Sequence, residues 1–179
     1  MTFRIWLAAV AALAVAPGAH AAIHQYSYDP ADAATRAAAG GVTFMVNQSL
    51  FGGARVLKMR ATEAKATADL ERADPGALGR GGTRILGTDA PAHDLYRIGS
   101  GDDGPAFVAA LCPGSKRGWV ALSPVRYGQD VQAVVFGDDP ASGAARMCRK
   151  LAFTFRGEWR LPGGAPPATE ATEAPGFPN

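Results

Sequence analysis

Few side chains in this chain of 179 residues have the type and spacing that chemistry requires. Cys112 and Cys148 are the only two cysteines. Joined, they would close a loop of about 37 residues, worth about 3–4 kcal/mol on the chain-entropy account. As a nucleophile, Cys112 would need a neighbouring base, and beyond residue 21 only His24 and His93 carry an imidazole. Two inert buried thiols are the remaining alternative. The even count, together with the export segment described below, points to the bridge.

Ala92-His93-Asp94 sets a histidine beside a carboxylate, with Asp102-Asp103 on a later turn. Imidazole titrates near neutral pH and a carboxylate can orient it, so His93, Asp94 and Asp102 are the candidate acid–base residues. Adjacent residues of an extended chain point to opposite faces, however, which favours a solvated loop. Two histidines in unrelated segments and two bridged cysteines make no tetrahedral zinc site. Asp102-Asp103-Gly104 and Asp138-Asp139 hold fragments of a calcium loop without its ligand spacing or terminal Glu. No metal and no cofactor is expected. Ser100, in Gly99-Ser100-Gly101, lacks the glycine placement of a nucleophile elbow. Gly79–Gly82 has no Lys-Ser/Thr after it and is not a phosphate loop.

One basic group stands out. Arg146, Arg149, Lys150, Arg156 and Arg160 crowd the final segment, after Arg126 and Tyr127 on a preceding turn. A ridge formed by Arg149, Lys150, Arg156 and Arg160 would suit an anionic envelope component or an acidic protein partner. Charged faces also protect sheets from unwanted strand addition, which is the competing explanation.

The elements that must position these residues read as mainly β. Leu151–Leu161 carries apolar or small residues at every odd position and polar or small ones at every even position, the period of a strand with one buried face. Gly157 interrupts the inward set and suggests a bulge or a close backbone approach. Val42–Val46 and Ala54–Arg60 predict a hairpin, with Thr62–Ala73 continuing as a strand despite its helix-compatible composition. Leu95–Ile98, Phe107–Cys112, Trp119–Leu122 and Gln129–Phe136 predict further strands, separated by turns such as Gly99–Gly104 and Gly137–Gly143. On that reading the bridge would tie two neighbouring or facing strands. Asp29-Pro30 opens one short helix, Pro30–Ala39, closed by Gly40-Gly41. Asp74–Pro91 is too rich in Gly and Pro for regular structure and predicts a long surface loop, with a short strand at Thr83–Leu86. The expected architecture is an antiparallel sheet forming a sandwich or a partly open barrel.

Residues 1–21 read as a signal peptide. Arg4 precedes the apolar run Ile5–Ala16, Pro17-Gly18 breaks it, and Ala19-His20-Ala21 offers a small-x-small cleavage site. That run would span about 18 Å as a helix, against a hydrocarbon core of about 30 Å, so no transmembrane segment is expected. Residues 22–161 form the single domain, and 162–179, rich in Pro, Ala and Glu, bury too little to offset ordering and are expected to be disordered.

Composition narrows the classes. The chain is 47% hydrophobic and 19% charged, which excludes wholesale disorder. Its 22 Gly and 13 Pro follow no triplet period, which excludes collagen. A net charge of +2 is no nucleic-acid footprint. The reading is a periplasmic or secreted, non-enzymatic β module with a binding or envelope-associated role. A small hydrolase using His93, Asp94 and Asp102 remains open, as does a protein inhibitor presenting the 74–91 loop.

Overall fold

Strands that are apolar on alternate residues must hide one face, and a sheet can do so by curling until its two edges pair. This chain takes that solution. The computed structural model describes residues 22–48, 54–79, 84–86, 94–101 and 103–159. Eight strands follow one another around a closed barrel, each antiparallel to the next: β1 (Ala22–Pro30), β2 (Val42–Gln48), β3 (Ala54–Ala61), β4 (Ala66–Arg72), β5 (Asp94–Ile98), β6 (Gly118–Leu122), β7 (Val131–Asp138) and β8 (Ala145–Trp159). β8 closes the ring by pairing with β1 from Gln25↔Trp159 to Pro30↔Phe153. The predicted leader (1–21), Arg160 and the tail (162–179) lie outside the described residues.

Eight strands enclose a space that side chains can just fill. Tyr26, Tyr28, Phe44, Met59, Tyr96 and Phe153, all fully buried, occupy it. Their rings meet edge to face, as in Tyr28–Phe44 at 5.5 Å between centroids. A second, smaller buried cluster lies on the outer wall, where Leu95, Trp119, Ala121, Val134 and Phe136 pack under Leu78. Leu78 ends a 3-10 turn, Pro75–Leu78, and Ile85 and Leu86 pack against the same cluster. The described part of the predicted 74–91 loop is therefore anchored on the wall, and 84–86 is helical rather than the expected strand. β6 and β7, covered on both sides, account for the unbroken apolar runs WVAL and AVVF.

Two helices sit at one end of the barrel. α1 (Ala33–Ala38) lies within the predicted span, but its cap is Asp32, not Asp29. The Thr35 amide donates to Asp32 Oδ1 at 2.7 Å and the Thr35 hydroxyl to Asp32 Oδ2 at 3.0 Å, which holds the Asp32 carboxyl below its ordinary range. Asp29-Pro30 instead ends β1, a strand whose His, Gln and Ser hid it from the hydropathy pattern.

α2 (Gly104–Leu111) replaces the strand predicted for Phe107–Cys112. Pro105 stands in the first turn, and Phe107, Val108 and Leu111 share the buried face that joins the barrel core. A five-residue apolar run fits either element, and Pro105 in the first turn favours the helix. The disulfide Cys112–Cys148, with Cα atoms 5.3 Å apart, therefore ties the end of a helix to β8 rather than strand to strand.

Bulges break the simple alternation at three places. One extra residue enters β3 at Leu57, opposite Met45/Val46, and two enter β8, at Cys148 and at Arg156. The last changes the expected inward set of β8. Leu151 and Phe153 are buried and Phe155 is half-buried, but past Arg156 the phase reverses, so Trp159 is 61% exposed and Glu158 takes the inward position.

Beyond α2, Asp138 gathers the loop onto β7. Its Oδ1 accepts from the amides of Lys116 at 2.7 Å and Arg117 at 2.8 Å, and its Oδ2 from Arg117 Nε at 3.2 Å. Burial pushes the Asp138 carboxyl up, but these amides and the Arg117 guanidinium outweigh it and hold the group below the usual carboxylate range. A depressed carboxyl stabilises the fold above its unfolded-state pKa, about 3.9, and loses that contribution as pH falls through the lower folded value. Asp138→Asn should therefore cost about 1–2 kcal/mol at pH 7, with the gap to wild type narrowing in denaturant melts below about pH 4. A gap that stays constant down to pH 2.5 would refute this account.

Candidate functional site

Three outward residues of β1, Gln25, Ser27 and Asp29, look onto a cleft of about 490 Å³ on the outer wall. Its other walls come from Thr43 on β2, Arg60 on β3, Thr62 beyond it, and Arg156 and Trp159 on β8. Strand register builds the floor. Gly157 pairs with Ser27, Ser27 with Thr43 and Thr43 with Arg60, one row running across four strands. With strands about 4.8 Å apart, the row is about 14 Å wide.

Ser27 is only 6% exposed, and its hydroxyl and that of Thr43 hydrogen-bond at 3.0 Å, so the floor is polar and locally satisfied. Arg156 stands at the bulge and pairs with Asp29 at 3.3 Å, both side chains more than half exposed. Solvent screens such a pair, so it holds Arg156 only weakly. Two guanidiniums, Arg60 and Arg156, face one carboxylate, Asp29, which makes the cleft net positive. A side chain built on Gly157 would meet no heavy atom within 4 Å. The expected close approach at Gly157 is absent, and the bulge lies one residue earlier, at Arg156.

The ridge residues have different surroundings. Arg149 Nε donates to the Leu111 carbonyl at 3.0 Å, and Arg146 donates to the Pro113 carbonyl at 2.7 Å, so both serve the C-terminal end of α2. Lys150 is exposed on β8, whereas Arg156, alone among the described residues of this group, lines the cleft. Among the acid–base candidates, His93 and Asp102 lie outside the described residues. Asp94 begins β5 and accepts from Arg72 Nη2 at 2.5 Å. Ser100 is exposed after β5. Asp138 is occupied as above, and Asp139 Oδ1 accepts from the amides of Ala141 and Ser142, holding the Asp139 carboxyl low. Among the described residues, no group of three or more His, Cys, Asp or Glu side chains gathers as a metal site, and no helix is long and apolar enough to cross a membrane.

One pair escaped the sequence reading. His24 Nδ1 lies 2.6 Å from Glu158 Oε1 where β1 and β8 close the barrel, with the His24 ring stacked on Tyr26 at 5.6 Å. The Tyr26 hydroxyl donates to Gln48 Oε1 at 3.2 Å, and Tyr127 leans edge-on against Tyr26 and Phe155. Burial, then the Glu158 charge, pushes the Tyr26 phenol up, so it stays a protonated donor. Glu158 falls on the predicted outer face, and only the Arg156 bulge turns it inward. The pair clamps the seam on which the cleft depends. Compared with protein-family models, with curated proteins and with solved structures, the chain finds no match in any of the three.

Proposed function

We propose that the chain is an exported, non-enzymatic binding module of the envelope or the extracellular space, and that it holds its ligand in the outer cleft. A leader-like first segment and a disulfide both suit an oxidising compartment. A barrel interior packed with aromatic side chains leaves binding to the outside of the wall. The observation that carries the reading is the cleft itself, where Arg60, Arg156 and Trp159 rise around a floor of hydroxyls. Such convergence of a few polar groups and one aromatic plane is the usual make-up of a recognition surface.

Photo-crosslinking in producing cells tests it. A benzophenone side chain at Gln25 or Thr43 should give adducts of the full chain, while the same group at Gln132, exposed on β7, should give none. Equal labelling at all three positions would overturn the reading.

A further inference from the structure

We propose that the cleft recognises a carboxylated saccharide, a short stretch of a uronic-acid chain. The inference rests on the binding-module reading and adds the chemistry of the ligand. Trp159 offers a broad apolar face to water, 61% exposed, paired with Gln25 two residues along from the Gly157–Ser27 end of the row. The C–H face of a pyranose ring can lie against such an indole while its hydroxyls stay hydrated. Along the floor, Gln25, Ser27 and Thr43 supply neutral donors and acceptors of the kind that sugar hydroxyls match. Arg60 and Arg156 supply planar forks, the geometry that fits a carboxylate with two parallel hydrogen bonds. Among the described residues Arg156 is held only by its screened contact with Asp29, so an incoming carboxylate can displace that partner.

An acidic peptide fits less well. Extended peptides gain most of their affinity by adding a strand to a free sheet edge. Here the strands under the floor, β1, β2 and β3 at Arg60, are paired on both sides. The stretch of β8 beyond its last β7 partner, residues 154–159, turns its unpaired edge away from β1 and the floor, so an added strand would lie beside the cleft and not in it. The polar row of Ser27, Thr43 and Arg60 beside a single indole, Trp159, suits a ring-by-ring contact.

The test is calorimetric titration of the protein, purified from producing cells, with three probes. These are a tetraglucuronate with the β-1,4 backbone of cellotetraose, cellotetraose itself, and tetraglutamate. The tetraglucuronate should bind about ten-fold or more tighter than either of the others, the scale of one charge-assisted hydrogen bond, and should weaken as salt is raised. Gly157→Phe, which projects a ring into open space above the row, should reduce tetraglucuronate binding about ten-fold without moving the melting temperature. Arg60→Gln should do the same without adding bulk. Equal binding of cellotetraose, equal binding of tetraglutamate, no binding of tetraglucuronate, or full affinity in both variants would each overturn the proposal. Failure here with crosslinks still confined to Gln25 and Thr43 rejects the saccharide alone. Failure of both experiments rejects the cleft as the binding surface.

Discussion

Reduction of Cys112–Cys148 should lower the thermal midpoint by about 10 °C. The bridge spans a sequence separation of 36 residues, for which loop closure in the unfolded chain is worth about 4 kcal/mol. At roughly 3 °C per kcal/mol for a domain of this size, the shift follows. The location of the bond makes the prediction sharper. Cys112 ends α2, and Cys148 is the unpaired bulge residue of β8, so the covalent link holds the helix against the barrel end. Without it, α2 keeps the Arg149 and Arg146 hydrogen bonds to Leu111 and Pro113, and the buried faces of Phe107 and Leu111. Those contacts keep the helix docked but let it open more often than the strands around it. Hydrogen exchange should therefore show reduced protection for the amides of 104–111, while the β1–β2–β3 ladder stays protected. Calorimetry with and without reductant gives the first readout and native-state exchange the second. An unchanged midpoint, or a loss spread evenly over all strands, would contradict this role.

Much of the barrel is written in side-chain period, and the parts that are not have definable causes. β8 is legible from Leu151 to Phe155 because inward and outward residues alternate in hydropathy. It stops being legible at Arg156, because a bulge adds one residue without any compositional mark and turns every later side chain over. Trp159 and Glu158 are misplaced by the same slip, which put the indole in the core and the carboxylate in water. α2 was hidden because a short apolar run carries no period of its own, and β1 because Gln25 and Ser27 dilute its two buried tyrosines. The expected pairing of Cys112 with Cys148 matches the structure, since two cysteines leave one combination. Arg156 was picked out from the sequence, but Arg60 was not. Arg60 sits 96 positions earlier, and nothing local hints that β8 will close on β1 and bring the two to one row.

The same closure brings β7 under the helix-covered end, and there a single methyl group should be costly. Gly137 pairs with Gly118 on one side and Arg146 on the other, and a Cβ at this position would run into Cys112 Sγ and the Ser115 hydroxyl, with Ser115 Cβ at 2.7 Å. Neither obstacle is the free end of a flexible chain. The sulfur is held by its bridge, and the Ser115 hydroxyl donates to the Asp138 carbonyl at 2.7 Å. Gly137→Ala should thus cost about 3 kcal/mol, lowering the midpoint by about 10 °C, as overpacking does where neighbours cannot yield. A double-mutant cycle separates this from a simple loss of β7 propensity. In a Cys112→Ala/Cys148→Ala background both sulfurs are gone, and the new methyl group has space on that side, leaving only Ser115 to move. The penalty for Gly137→Ala should then fall measurably without vanishing, since Ser115 still stands in the way, a coupling that independent sites do not show. Equal penalties in the two backgrounds would mean that the bridge sulfur has no part in the requirement for glycine.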